Sequence, residues 1–236
     1  CKKPQPIIFP SPNYLLFTTT YFYILFTNFT NMKKTGFSIY ILLSIILFCS
    51  CKDEEYTFNH NPHVIINCDA GNILVELYAD KAPLTANTFI KYADSGYFNE
   101  TYFYRVLNIH NQPMDEFKAE LIQGGTYLNK DKPKNLPGTP HEPTNKTGLK
   151  HLKGSLSMAR MDTGTATTEF FICLEDQKGY DFGGKNNHDG HGYAVFGQVV
   201  KGMEIVRKVS ERPEKGQRFR PPVKINSIRI VHRPKS

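Results

Sequence analysis

From His63 onward the apolar residues fall into short runs, not long stripes. Val64-Ile-Ile-Asn-Cys68 reads as a strand and Ala70-Gly71 as a turn, and Ile73, Val75 and Leu77 then alternate on one face of the next strand. Pro83 suits the first position of a helix, where its missing N–H has no partner to lose. Leu84, Thr88, Phe89 and Tyr92 follow at helical spacing, and Gly96 supplies a stop. Further short runs are separated by Gly, Pro and Asn: Tyr102 to Leu107, Leu121 to Gln123, Ser155 to Ala159, Glu169 to Leu174 and Tyr193 to Val200. A second helix is predicted over Met203 to Val209. A last strand, Val223 to Val231, changes apolar phase near Ser227, which suggests a bulge. Many short strands with two helices and no repeats predict a mostly antiparallel barrel or sandwich.

Residues 1-50 pattern differently. Tyr14 to Phe17 and Tyr21 to Phe26 are apolar, aromatic and uncharged, and the first Met is Met32. Lys33 and Lys34 then precede a twelve-residue apolar core from Phe37 to Phe48, too short to span a bilayer as a helix and the right length for a signal peptide. The expectation is that Met32 is the true start, that residues 1-31 are upstream sequence translated in error, and that residues 32-50 are a signal peptide. Phe48-Cys-Ser-Cys51 resembles a bacterial lipoprotein box, so Cys51 is expected to carry the lipid, with residues 51-62 as lipidated cysteine and tether. Lys52-Asp-Glu-Glu55 resembles a surface-export signal of Gram-negative lipoproteins. The expected location is therefore the cell envelope, periplasmic face or surface.

Charge adds little to this picture. The net charge is +7, but Lys2, Lys3, Lys33 and Lys34 supply four of it with no acid among residues 1-50, leaving +3 from Cys51 onward. No long basic run or Arg–aromatic interleaving remains, so a nucleic-acid partner is not implied. The five cysteines form no CxxC pair, which removes the zinc and thioredoxin-like signals. Cys68 and Cys173, in strand-like runs, read as buried thiols, with a disulfide left open. His188-Asp-Gly-His191 lies in a glycine-rich polar stretch and reads as a solvated turn, so no metal is expected. Nothing suggests oligomerisation, and a monomer is expected.

Four blocks, in order, resemble the cyclophilin-type peptidyl-prolyl cis/trans isomerases. They are Ala82 to Phe89 with Gly96-Tyr97; Phe103-Tyr-Arg-Val106 with Ile122-Gln-Gly-Gly125; Gly154 to Arg160; and Glu169-Phe-Phe-Ile172 with Gly192 to Gly197. Together they span nearly all of residues 64-231. The resemblance implies a mainly β domain over residues 63-232, a closed eight-stranded antiparallel barrel capped by two helices. It implies rotation about X-Pro bonds in proline-containing polypeptides, with no cofactor, here aiding the folding of secreted or envelope proteins. A proline-peptide binding module or chaperone with little catalysis is the alternative. The ordered blocks argue against a small-ligand barrel of the lipocalin kind.

Carried onto this sequence, the resemblance makes Arg105 the catalytic cation. Gln123 would bond the substrate backbone and orient Arg105. Leu121 and Phe171 would line the proline pocket, with Ala159 and Arg160 flanking the groove through their backbone. Tyr193 would offer its hydroxyl to a substrate carbonyl, and Tyr180 falls near the pocket wall. Three departures stand out. The stretch 106-120 carries an insertion from Asn111 to Phe117, and it leaves Glu120 where an aromatic pocket residue is usual, a place Phe117 or Met114 could fill. Glu169 replaces a usual Gln and puts a negative charge near Arg105, able to orient it or to weaken it as a donor. The chain has no Trp, so weak cyclosporin binding is expected.

Overall fold

A computed structural model describes residues 56–133 and 135–233. The proposed start at Met32, the signal peptide and Cys51 lie outside the described residues. Strand β1 (His63–Cys68) turns through Ala70 and Gly71 into β2 (Gly71–Leu77), with Cys68 opposite Gly71. Helix α1 (Pro83–Asp94) begins on Pro83 and ends at Ser95, and Gly96 follows with φ of 68°, a left-handed value that glycine adopts at little cost. Strands β3 (Thr101–Leu107), β4 (Leu121–Gly125), β5 (Ser155–Met158), β6 (Phe170–Cys173) and β7 (Ala194–Lys201) follow, then α3 (Met203–Ser210). A single helical turn, α2 (Thr144–Thr147), sits between β4 and β5. The chain ends on β8 (Glu214–Lys215) and the long β9 (Arg218–His232).

Every strand pairing is antiparallel. The order is β1-β2-β7-β5-β6-β4-β3-β9, and β9 returns to pair with β1, closing eight strands into a barrel; β8 is a short arm folded back on β9. The phase slip near Ser227 is a bulge: Asn67 faces Ser227 but Cys68 faces Ile225, leaving Asn226 as the extra residue. Alternation sends Ile66, Ile73, Leu77, Phe103, Ile122, Phe170 and Phe196 into a fully buried interior. Helix α1 packs against β7 and β9, and α3 against β2 and β4. The buried face of α1 differs from the predicted stripe. Phe89 and Tyr92 of that stripe are buried, together with Ala86, Ile90 and Ala93, while Leu84 is 50% exposed. Alanine fills the space at close helix–sheet contacts and so takes places that a search for large side chains passes over.

Outward-facing residues of adjacent strands make a second apolar cluster outside the barrel interior. Leu107 of β3, Ala119, Leu121 of β4, Phe171 and Cys173 of β6, and Tyr180 are all buried together, with Ala159 and Tyr193 packed on them. Cys68 belongs to the main core, and both it and Cys173 are free thiols. Among the described residues no helix is long and apolar enough to cross a membrane.

Candidate active site

A bulge in β3 sets the site. Phe103 faces Gly124 and Arg105 faces Gln123, so Tyr104 is the extra residue. Consecutive residues of a regular strand point to opposite faces; the bulge instead brings Tyr104 and Arg105 to the two ends of one side-chain amide. Arg105 Nη1 donates to Gln123 Oε1 at 3.2 Å, and Gln123 Nε2 donates to the Tyr104 hydroxyl at 2.7 Å.

The other side of Arg105 is held by Gln217, which the sequence pattern did not single out. Gln217 Oε1 accepts from Arg105 Nη2 at 2.7 Å and Nε at 3.2 Å. Gln217 is in the two-residue turn between β8 and β9, where Gly216 and Gln217 have φ of 55° and 68°. Both values are positive, as a type I′ hairpin turn requires. Three of the guanidinium's five N–H groups are thereby engaged, and the other two, one on each terminal nitrogen, have no protein acceptor among the described residues.

Arg105 opens onto a cleft of about 500 Å³ lined by Leu107, Tyr180 and Tyr193, with the insertion on one wall and Lys185 to His188 on the other. Leu121 and Phe171 are each 3% exposed and back the cleft, in place of forming its open wall. The Phe171 ring lies 5.5 Å from both Tyr180 and Tyr193 in edge contact, and those two rings are 5.0 Å apart. Burial pushes the Tyr193 phenol above its ordinary value, so it stays protonated and able to donate.

The insertion is ordered by its own side chains. Gln112, 3% exposed, donates to Asn108 and Ala119 carbonyls at 2.7 Å and accepts from the Ala119 N–H. This clamp brings Phe117 to the cleft, where Lys185 lies 5.1 Å over its ring. Met114 also borders the cleft but is 92% exposed. Gln217 Nε2 bonds the Asn111 carbonyl, joining the insertion to the β8–β9 arm.

Three expected roles change. Glu169 does not touch Arg105. Its Oε2 accepts from the Tyr104 hydroxyl at 2.8 Å and its Oε1 from the Thr126 N–H at 2.8 Å and the Thr168 hydroxyl at 3.2 Å. Gly125 makes room for it: a Cβ there would stand 2.6 Å from Glu169 Oε2. Burial raises the Glu169 carboxyl above its ordinary range, with the donors around it pulling the other way. Burial and the nearby carboxylate push the Tyr104 phenol far up, so it remains a donor. Arg160, expected to flank the groove through its backbone, has a side chain only 2% exposed that grips Asp189 with two bonds of 2.7 and 2.8 Å. Its Nε also bonds the Gly192 carbonyl at 3.0 Å, and its guanidinium lies 5.1 Å from the Tyr193 ring centre. Arg160 thus pins the loop that carries Tyr193. Ala159 gives its N–H to the Glu169 carbonyl, so only its carbonyl and methyl remain for the groove.

Beneath the aromatic floor is a polar group the sequence reading missed. His151, whose side chain is fully buried, faces Asp181 Oδ1 at 2.8 Å through Nδ1 and Ser157 Oγ at 3.0 Å through Nε2. Its ring stacks 5.9 Å from Phe171. Ser157 is also fully buried, so this Ser–His–Asp alignment has no access to substrate and serves as a support. Among the described residues no cluster of metal-ligating side chains forms, and Asp189 of the His188–His191 stretch is taken by Arg160.

The chain is similar to known proteins. The family described as cyclophilin type peptidyl-prolyl cis-trans isomerase/CLD matches residues 63–230. Peptidyl-prolyl cis-trans isomerase A of Dickeya dadantii is 38% identical over 181 residues, covering 76% of this chain and 85% of that protein. Peptidyl-prolyl cis-trans isomerase B of Escherichia coli is 35% identical over 147 residues, or 62% of this chain and 82% of that protein. A crystal structure of a Cryptosporidium parvum cyclophilin type isomerase, in the presence of the dipeptide Ala-Pro, matches the fold with a TM-score of 0.55 and 22% identity, over 71% of this chain and 98% of that one.

Proposed function

The chain belongs to the cyclophilin-type peptidyl-prolyl cis/trans isomerases, and from that premise we propose that Arg105 is the group that lowers the barrier to X-Pro rotation. The planar amide resists rotation by about 18–20 kcal/mol because the nitrogen lone pair is delocalised into the carbonyl. As the bond twists, that lone pair localises on the proline nitrogen and becomes an acceptor. A guanidinium fixed beside it donates to the twisted state and has little to offer either planar one, so the interaction acts on the barrier and not on ground-state binding.

The observation that carries this reading is the clamped Arg105 with N–H groups left over at the mouth of a cleft. Leu107, Tyr180 and Tyr193 supply apolar surface to seat a proline ring, and Phe171 and Leu121 support them from behind. Gln123 holds Arg105, and Tyr193 offers a hydroxyl to the substrate backbone. Glu169 is turned away from Arg105, so of the two departures that would favour a binding module without catalysis, Glu169 and the insertion, the first gives it no support.

The clients in this reading are secreted or envelope proteins, met at a membrane surface to which the domain is tied by a lipid on Cys51 as a monomer. The supports are the apolar core before Cys51 and its lipoprotein-like box. The enzymatic test is exchange spectroscopy on an X-Pro peptide with Arg105→Ala. Exchange should fall at least a hundredfold while the melting curve is kept; exchange equal to that of the unsubstituted protein would refute the assignment. Globomycin-sensitive labelling of Cys51 with a radioactive fatty acid tests the anchor, and no label on Cys51 would overturn it.

A further inference from the structure

Glu169 is a departure that the catalytic assignment leaves without a role, yet it is linked to Arg105 through a chain of hydrogen bonds. The order of that chain is Glu169, Tyr104, Gln123, Arg105, with contacts of 2.8, 2.7 and 3.2 Å. The chemistry of the end groups fixes the direction of every link. Donors surround Glu169, with the Thr126 N–H and Thr168 hydroxyl on one oxygen and Tyr104 on the other, so it is held as a carboxylate that only accepts, and Tyr104 spends its one proton on it. The Tyr104 oxygen must then accept from Gln123, and only the amide nitrogen of Gln123 can donate. The amide oxygen is thereby turned toward Arg105, which can only donate.

We propose that Glu169 and Tyr104 are positioning residues for the isomerase: a buried carboxylate that sets the polarity of the relay and so holds the Gln123 oxygen against Arg105. This rests on the assignment of Arg105 as the catalytic cation. The site is built for a carboxylate. Both its oxygens accept hydrogen bonds, one from the Thr126 N–H, which cannot reverse, and the other from Tyr104. Gly125, with φ of 142° and no Cβ, opens the space the carboxylate fills.

Glu169→Gln keeps the shape but not the polarity. Its oxygen must face the Thr126 N–H, so its NH₂ faces Tyr104. Tyr104 then accepts from residue 169 and donates to Gln123, which flips and presents NH₂ to Arg105. Donor meets donor, and one of the holds on the guanidinium is lost. The decisive comparison is Glu169→Gln alone and combined with Gln123→Glu. The second change restores an acceptor beside Arg105 while leaving the relay reversed.

The experiment measures kcat and KM for an X-Pro peptide at pH 7.5 on the whole folded domain, with melting curves for each variant. Glu169→Gln should lower kcat about tenfold with KM held within twofold, since the apolar cleft that seats the proline ring is unchanged. Tyr104→Phe should cost a similar factor, and Glu169→Gln added to it should cost little more. Adding Gln123→Glu to Glu169→Gln should recover at least a threefold gain in kcat. A kcat for Glu169→Gln within twofold of the unsubstituted protein overturns the relay, as does a double variant no faster than the single. Unsubstituted protein and Arg105→Ala run alongside. No activity in the first, or full activity in the second, sinks the assignment of Arg105 instead, so the two failures are told apart.

Discussion

Replacing Gln217 with glycine tests how much Arg105, the proposed catalytic cation, depends on being held. The substitution removes the oxygen that accepts from Arg105 Nη2 at 2.7 Å and Nε at 3.2 Å, leaving Gln123 as the other side-chain acceptor. Glycine is the appropriate replacement because residue 217 has φ of 68°. A non-glycine residue there carries a strain of about 1 kcal/mol, which glycine relieves. Against this, glycine costs about 0.5–1 kcal/mol in unfolded-chain entropy, and the bond to the Asn111 carbonyl, worth about 1 kcal/mol, is lost. The backbone bonds of residue 217, its N–H to Glu214 and its carbonyl to the Val106 N–H, survive. Arg105 opens onto the cleft, so water can take over the two bonds it loses, and stability should change by about 1 kcal/mol.

The rate should change more. An arginine side chain has about 2 kcal/mol of rotamer entropy to lose on being fixed. With one of two anchors gone, about half to all of that ordering must be supplied during the reaction, which corresponds to about 5- to 30-fold in kcat/KM. Exchange spectroscopy on an X-Pro peptide reads the rate, and urea unfolding reads stability. A kcat/KM within twofold of the unsubstituted protein would refute the reasoning, because the cation would then be held well enough by Gln123 alone. A loss of several kcal/mol of stability would refute it differently, by showing the arm to be structural.

Two further outcomes are expected. Arg160→Ala leaves Asp189, 20% exposed, without its buried partner; it should cost about 2–3 kcal/mol, at the low end for a broken buried pair because Asp189 can reach water. The loss should appear as faster hydrogen exchange over residues 183–192, and unchanged protection there would contradict the pinning role. Burial lowers the His151 pKa below 6.5, with Asp181 pulling it back; for Asp181, burial pushes up but its bonds to His151 and the charge of Lys150 win, leaving it below 3.8. In both cases the unfolded chain takes up the proton first, so stability falls on acidification, from near pH 6.5 for His151 and below pH 4 for Asp181. The melting temperature should drop between pH 7.5 and 5.5, and by less in His151→Gln. His63 and His141, also lowered by burial, leave a residual slope. Equal slopes would exclude His151 as a contributor.

What was legible in the chain was what repeats with the period of its element. Ile73, Val75 and Leu77 alternate, and the strand is there with all three buried. The phase slip near Ser227 was a bulge because an extra residue must move the apolar set to the other face. The β8–β9 arm was not legible. Glu214-Lys-Gly-Gln-Arg218 has no apolar alternation, and a turn with Gly first and Gln second lacks the Asn-Gly or Asp-Gly signature of a type I′ hairpin. Gln217 was missed with it. The direction of Glu169 was also beyond reach. It follows from Gly125 leaving room and from a bulge at Tyr104, and neither is a property of residue 169 itself.

The same features that escaped a periodic reading converge on one side chain. The insertion reaches Gln217 through the Asn111 carbonyl, the arm delivers Gln217 to Arg105, and the β3 bulge delivers Tyr104 to the far end of Gln123. Regular strand geometry can place Arg105 opposite Gln123, but it supplies no acceptor for the guanidinium's other edge and no means of fixing which way an amide faces. Those need residues with unusual backbone or from outside the barrel. A cation that must meet a transient lone pair gains less from being merely near, because reorienting a four-bond side chain during rotation returns to the barrier part of what the hydrogen bond removes. The irregular segments are thus where a barrel shared with its relatives is fitted to holding this arginine still.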